Sequence, residues 1–226
     1  MDKMVNLNIF VKTAIITTLI FGVGVWTGLW LGDEKITSLE STMNSLQDDI
    51  NNAELQFLMF DALEKNASCN YMIQTANSLG EESGKLASEV EKYENTQKID
   101  DAAFYILKRK YTNTLIRDWL TLEKIKRTCN GSYSTILYFY SNKQCDKCED
   151  QGIILTYLKE KLDNELLVFA LDADIGVAAV DALRDSFGIT AYPSTVINGK
   201  VHNSFIDKED ATKELCEFNS DFAICS

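Results

Sequence analysis

Hydrophobic and polar positions divide this chain into three parts. An uninterrupted apolar run lies near the N-terminus, a long middle part has apolar residues at helical spacing, and the C-terminal part alternates short apolar runs with helical stripes. An amphipathic helix repeats its apolar residues about every three or four positions, whereas a buried strand is a short continuous apolar run. The pattern therefore predicts a leading apolar helix, a helical middle and an α/β domain.

The apolar run over residues 13–32 predicts a transmembrane helix. It contains no charged residue, and about 20 apolar residues cross a hydrocarbon core of roughly 30 Å. Basic residues precede it and acidic residues follow it, at Lys3, Lys12, Asp33 and Glu34. The positive-inside rule then predicts a single-pass membrane protein, with residues 1–12 in the cytoplasm and everything after residue 32 outside. The alternative is a cleaved signal peptide, for which the following residues offer a poor cleavage site.

Two stretches have the spacing of helix–helix contact surfaces. Gly24, Gly28 and Gly32 recur every four residues and place a smooth stripe on one helix face. Beyond residue 33, apolar residues follow the spacing of a coiled-coil seam. The seam residues are Ile36, Leu39, Met43, Leu46, Ile50, Ala53 and Phe57. Either surface could support a homodimer, and the seam could equally pack on other helices of the same chain.

Residues 33–130 predict a helical region, because they contain no proline and no strand-like run. Two further apolar stripes follow the seam, and polar residues 95–101 separate them. The first stripe is Met72, Ala76, Leu79, Ser83, Leu86, Val90 and Tyr93. The second stripe is Phe104, Leu107, Tyr111, Leu115, Trp119 and Leu122. The pattern predicts a helical hairpin whose stripes are packing faces.

Two cysteines lie where the base of this hairpin is expected. Cys69 begins one helix and Cys129 ends the other, so an antiparallel hairpin brings them together and predicts a structural disulfide. Two separate buried thiols are the alternative. Asn66 and Asn130 each begin an Asn-x-Ser glycosylation sequon, which is usable only if this region lies outside the cell.

Residues 131–226 predict an α/β domain with βαβ followed by αββα. The expected strands are 135–140, 166–171, 194–197 and 200–205. The expected helices are a cysteine-containing helix with apolar spacing from Ile153 to Leu162, and helices over 177–187 and 208–217. Asn198-Gly199 is a two-residue hairpin turn between the last two strands. Cys216 and Cys225 are expected to close a C-terminal disulfide loop, either as a structural clip or as an auxiliary redox pair.

Charge and residue counts exclude several classes of protein. The net charge of −12 argues against a nucleic-acid-binding protein, which normally carries a basic face. The chain has a single histidine, His202, and its Cys-x-x-Cys motif has no second pair of ligands. Because a structural zinc ion normally needs four ligands, no metal and no organic cofactor is predicted.

Cys145 and Cys148 lie where the first predicted strand of the α/β domain becomes a helix. A helix start presents free backbone N–H groups and the positive end of the helix dipole, and both favour a thiolate over a thiol. A second cysteine one turn later can attack the mixed disulfide that the first one forms. The spacing therefore predicts a redox pair, with Cys145 as the attacking thiol and Cys148 as the resolving thiol.

Residues 132–218 resemble the thioredoxin superfamily. The resemblance rests on Cys145-Asp146-Lys147-Cys148, on Ile189-Thr190-Ala191-Tyr192-Pro193-Ser194-Thr195, and on the order of the predicted elements. It implies that Pro193 forms a cis peptide bond facing the dithiol and that Tyr192 offers backbone groups to a bound peptide.

The chain departs from the pattern of that family near the dithiol. Gln144 stands where tryptophan is usual, Asp-Lys replaces the Gly-Pro dipeptide, and Phe139 stands where the family often has a buried acid. A proton relay through such an acid is therefore missing or replaced, and the direction of the redox reaction does not follow from the fold.

The predicted protein is a membrane-anchored, extracytoplasmic thiol–disulfide oxidoreductase that acts on protein thiols and disulfides. Its predicted fold is an α/β thioredoxin-like domain preceded by a transmembrane helix and a helical hairpin or coiled-coil region. The alternative is a surface adaptor protein, in which the thioredoxin-like domain is a binding module and Cys145–Cys148 is a permanent bridge. A reduction potential well below about −300 mV would indicate such a structural bond.

Overall fold

The computed structural model describes residues 11–27, 55, 58–60, 62, 65–95, 102–143 and 145–225. The chain divides into two compact units, Met1–Leu58 and Met59–Ser226. The predicted coiled-coil seam from Ile36 to Phe57 lies outside the described residues, as do Gly28 and Gly32 of the glycine stripe. Self-association through either surface stays a prediction.

The first unit contains helix α1, described over residues 11–27. These 17 residues rise about 26 Å, less than the roughly 30 Å of a hydrocarbon core. In the described part of the chain, no helix is both long enough and apolar enough to cross a membrane. The predictions of a transmembrane helix over residues 13–32 and of a single-pass membrane protein with an extracytoplasmic C-terminal domain were therefore wrong.

The second unit begins with an antiparallel helical pair, α2 (Lys65–Asn95) and α3 (Ala102–Cys129). The two helices pack against each other through the predicted stripes. Their buried apolar residues include Met72, Leu79, Leu86 and Val90 on α2, and Phe104, Leu115 and Ile116 on α3. A disulfide joins Cys69 to Cys129 at the base of the pair, with the two Cα atoms 5.8 Å apart.

The rest of the unit alternates strands and helices in the order β1 (Ser134–Tyr140), α4 (Cys148–Leu162), β2 (Leu166–Asp172), α5 (Ala178–Ser186), β3 (Ser194–Ile197), β4 (Lys200–His202) and α6 (Lys208–Phe218), with a 3-10 turn at Asp163–Glu165. The strands form one sheet in the order β2-β1-β3-β4. Strand β2 is parallel to β1, whereas β3 and β4 are antiparallel to their neighbours. The arrangement is a thioredoxin-like fold.

The predicted fold class was nevertheless wrong as a whole. The described chain is mainly helical with a mixed four-stranded sheet, and it contains no helix that can serve as the predicted transmembrane segment. Strand β4 is also shorter than predicted, because the chain leaves the sheet after His202.

Both faces of the sheet are covered by helices. Leu137 and Phe139 of β1 point to one face and pack with residues of α3 and α5, including Leu115, Ile116 and Val180. Ile136 and Tyr138 point to the other face and pack with residues of α4 and α6, including Leu155, Leu158 and Leu215. Successive strand residues face opposite sides, so coverage of both faces explains why β1 is a continuous apolar run. Helix α3 is therefore part of the core that holds the sheet.

Candidate redox site

The dithiol motif lies at the carboxyl end of β1, the central parallel strand. Cys148 is the first residue of α4, and a disulfide joins it to Cys145, with the Cα atoms 5.5 Å apart. Cys148 is buried, at 9% exposure, whereas Cys145 is partly exposed. The N-cap residue Lys147 makes no side-chain capping bond, since its ammonium group has no acceptor for the N–H groups of the first turn. Of the two cysteines, Cys145 is the one that an incoming molecule can reach.

Two buried polar side chains hold the start of α4 in place. The Tyr138 hydroxyl donates to the Cys148 carbonyl oxygen over 2.6 Å. Burial raises the pKa of Tyr138 to about 12, so the phenol keeps its proton and remains a donor at neutral pH. Gln151, which is fully buried, accepts from the Ile206 N–H (2.9 Å) and donates to the Ile206 carbonyl oxygen (3.2 Å).

The charged residues of the motif are exposed and partly neutralised. Lys147 Nζ lies 2.7 Å from Asp150 Oδ2 and 5.8 Å from the centre of the Phe205 ring. The hydrogen bond to Asp150 is the main cause that raises the pKa of Lys147. Lys147 therefore keeps its positive charge beside the dithiol. Phe139 of β1 is fully buried in the core and apolar.

The Tyr192–Pro193 peptide bond is cis. Ser194, the next residue, pairs with Phe139 of β1 in the antiparallel register. Pro193 therefore lies at the edge of the sheet where β1 ends and the dithiol begins. Pro193 is buried and Tyr192 is partly exposed; Arg184 Nη1 donates to the Tyr192 hydroxyl over 3.3 Å.

Asn203 holds the loop that carries Tyr192 and Pro193, and sequence reasoning missed it. Its Oδ1 accepts from the Thr190 N–H (3.0 Å) and from the Ser194 hydroxyl (3.2 Å). Its Nδ2 donates to the Gly188 carbonyl oxygen (3.0 Å). No local sequence signal identifies this residue, because its partners precede it by a whole strand and turn.

Asp174 holds the loop on the other side of the dithiol, and it too was missed. Its Oδ2 accepts from the Ser141 hydroxyl and from the Asn142 N–H, each over 2.9 Å. Two acids at the end of a buried strand, in the segment Asp172-Ala173-Asp174, are the signal that the sequence offers for this role. The carboxylate joins the ends of the two parallel strands immediately before Cys145.

The remaining candidate residues lie in separate parts of the unit. A disulfide joins Cys216 of α6 to Cys225, so all six cysteines of the chain, which lie in its described part, are oxidised. Asn130 is exposed with a positive φ of 57°, and the side chain of Asn66 lies outside the described part; glycosylation of either stays a prediction. Within the described ranges, no group of three or more His, Cys, Asp or Glu side chains is arranged to hold a metal ion.

No protein-family model matches the chain, and the search of curated proteins finds no match. Solved structures with partial similarity include an uncharacterized thioredoxin-like protein from Clostridium perfringens (17% identity, TM-score 0.35, covering 42% of this chain and 79% of that one). They also include a Malassezia sympodialis thioredoxin, Mala s 13 (16% identity, TM-score 0.32, 42% and 84%), and a structure described as a malarial protein (17%, 0.32, 40% and 98%). The sheet order and the positions of Cys145, Cys148 and Pro193 define the candidate site.

Proposed function

We propose that this protein exchanges disulfides with the cysteines of other proteins through Cys145 and Cys148. The observation that carries the proposal is the placement of this pair at the uncapped start of α4, with Cys145 partly exposed and Cys148 buried. The backbone N–H groups and the helix dipole at a helix start stabilise a thiolate. A thiolate that a foreign polypeptide can reach is the nucleophile of disulfide exchange.

The reaction follows from the two sulfur atoms. In the reduced protein, the Cys145 thiolate attacks one sulfur of a substrate disulfide, forms a mixed disulfide and expels the other substrate sulfur as a thiolate, which takes a proton from solvent. The Cys148 thiol then loses its proton, attacks the Cys145 sulfur and expels the second substrate thiolate. The substrate gains two electrons and two protons, and the pair returns to the disulfide seen in the structure. A reduced dithiol or monothiol donor must restore the pair.

The edge that carries Pro193 and the dithiol offers a place for the substrate chain. Pro193 is buried directly before β3, and the Asn203 bonds hold the preceding loop. We assign the backbone of Tyr192 to contact with an extended polypeptide next to its cysteine. The Tyr192 hydroxyl accepts a hydrogen bond from Arg184, and the residue is partly exposed. A substrate chain can therefore approach the backbone of Tyr192.

The test is the reduction of insulin disulfides by the purified chain in the presence of a thiol donor. Cys145→Ala should abolish catalysis, and Cys148→Ala should accumulate mixed disulfides that survive non-reducing electrophoresis. The double variant Cys216→Ala/Cys225→Ala, matched in removing one disulfide, should keep its activity. Full activity in Cys145→Ala would overturn the proposal, as would a reduction potential of the pair well below about −300 mV.

A further inference from the structure

Lys108 of α3 reaches from the helical pair to the edge of the sheet that carries the dithiol. Its Nζ lies 2.8 Å from Asp172 Oδ2, and both side chains are almost buried, at 11% and 5% exposure. The same ammonium group lies 5.6 Å from the centre of the Phe104 ring and 5.9 Å from that of Tyr140. Glu94 of α2 is farther away, at 3.9 Å. The cation is thus held on several sides and directed at Asp172.

Asp172 in turn organises the loop that leads to Cys145. Its Oδ2 also accepts from Asn142 Nδ2 over 2.7 Å, and its Oδ1 accepts from the Asp174 N–H over 2.8 Å. Asp174 then binds the Ser141 hydroxyl and the Asn142 N–H. Burying a carboxylate costs free energy unless it has charge and hydrogen-bond partners, and Lys108 supplies a positive charge 2.8 Å from Asp172 Oδ2.

We propose that Lys108 is a positioning residue for the redox pair. Its ion pair with Asp172 holds the loop before Cys145 and cancels a negative charge that would otherwise disfavour the Cys145 thiolate. Because it concerns the chemistry of the same dithiol, this inference rests on the proposed function. It assigns the helical pair a role in tuning the dithiol, in addition to its role in the core.

The size of the effect follows from the chain length between the ion pair and the sulfur. Asn142, whose Nδ2 lies 2.7 Å from Asp172 Oδ2, precedes Cys145 by three residues, so its Cα lies at most about 11 Å from the Cα of Cys145. A unit charge at about 10 Å shifts a thiol pKa by roughly 0.3 to 1.2 units for an effective dielectric between those of water and about 20. The other charged groups near the dithiol and the ion pair are not substituted in any variant below; they are Lys143, Asp146, Lys147, Glu149, Asp150, Asp174 and Glu94.

Replacing Lys108 and replacing Asp172 should shift the pKa of the Cys145 thiol in opposite directions. Lys108→Met leaves the Asp172 carboxylate uncompensated, so the pKa of Cys145 rises by about half a unit or more and its alkylation at pH 7 slows about threefold. The reduction potential of the pair becomes more negative, because the reduced form loses stability. Asp172→Asn leaves the Lys108 cation without its nearest carboxylate, which lowers the pKa of Cys145 and raises the potential of the pair. The double variant should return close to the wild type.

The measurement is the pH dependence of iodoacetamide labelling at Cys145 in the reduced full-length chain, with the labelled peptide quantified by mass spectrometry. The potential of the pair is measured in parallel in glutathione buffers. Lys108→Arg keeps the charge and should behave as the wild type. Lys110→Met is the matched control, since Lys110 lies on the same helix but is paired with Glu82 at 4.0 Å. Lys108→Gln replaces Lys108→Met if the latter does not fold.

If Lys108 contributes only to stability, Lys108→Met should lower the melting temperature and leave the labelling midpoint of Cys145 unchanged. That result, or shifts of the same sign in Lys108→Met and Asp172→Asn, would overturn the inference. Labelling and potential need no protein substrate, so the two proposals fail separately. If the two variants shift the pKa of Cys145 in opposite directions but the protein cannot reduce insulin, only the proposed function is contradicted. If the protein reduces insulin but the labelling midpoint does not shift, only the role of Lys108 is contradicted.

Discussion

The three disulfides should stabilise the fold to very different extents, and the difference separates a redox pair from a structural bridge. Cys69–Cys129 has a sequence separation of 60, Cys216–Cys225 of 9, and Cys145–Cys148 of only 3. A disulfide stabilises mainly by restricting the unfolded chain, and the effect grows with the length of the closed loop. The test therefore replaces each of the three cysteine pairs, one at a time, by two alanines.

The loop-closure relation gives the expected magnitudes. Loss of Cys69–Cys129 should lower the free energy of unfolding by about 4 kcal/mol, and loss of Cys216–Cys225 by about 2.5 kcal/mol. Loss of Cys145–Cys148 should cost less than about 2 kcal/mol, because the short segment is already restricted by the start of α4 and by the bonds of Tyr138 and Gln151.

Urea denaturation of the oxidised variants, followed by far-ultraviolet circular dichroism, measures these losses. For a slope of roughly 2 kcal/mol per molar urea, loss of Cys69–Cys129 moves the midpoint down by about 2 M. Loss of Cys145–Cys148 should move it by less than half as much. If the Cys145→Ala/Cys148→Ala variant is destabilised as much as the Cys69→Ala/Cys129→Ala variant, the pair is a structural bridge and the reasoning is refuted.

Three other substitutions test single contacts. Tyr138→Phe removes the bond to the Cys148 carbonyl oxygen and should lower the free energy of unfolding by about 1 kcal/mol, measured in urea against the exposed control Tyr157→Phe. Asn203→Ala should slow insulin reduction about threefold to tenfold while leaving Cys145 labelling unchanged, because it loosens only the Pro193 loop. Burial raises the pKa of Asp118 from 3.8 to about 6, so its contribution to stability is fully present below about pH 4 and is lost as the pH rises through 6. Asp118→Asn should therefore be more stable than the wild type at pH 7, by about 1 to 3 kcal/mol, and the difference should disappear at pH 4 in thermal unfolding scans.

Each of these has an outcome that contradicts it. Equal stability of Tyr138→Phe and Tyr157→Phe would mean that the hydroxyl bond contributes nothing. A change in labelling at Cys145 in Asn203→Ala would place the residue in the tuning of the thiol, not in substrate binding. A pH-independent difference between the wild type and Asp118→Asn would show that this carboxyl does not titrate in the folded protein between pH 4 and 7.

Local patterns in the chain located the strands, the helices and the cysteine motif. Each of these is specified within a few residues: a continuous apolar run for β1, a helical stripe for α4, and two cysteines at their junction. The thioredoxin-like order then follows, because consecutive elements of this kind have few ways to pack. A prediction that depends on the exact length of an element is less certain to follow from a local pattern. The apolar run near the N-terminus predicted a transmembrane helix, but the described helix α1 is too short to cross a membrane.

What the sequence determined by itself is thus the strand and helix around Cys145 and Cys148 and the place of the two cysteines at their junction, since both are encoded in neighbouring residues. Only the tertiary structure decided that α3 covers one face of the sheet, that Lys108 meets Asp172 and that Asn203 holds the proline loop. These contacts join residues that are distant in the chain. A side chain's partner across such a distance depends on how all the intervening elements pack, which no local pattern records.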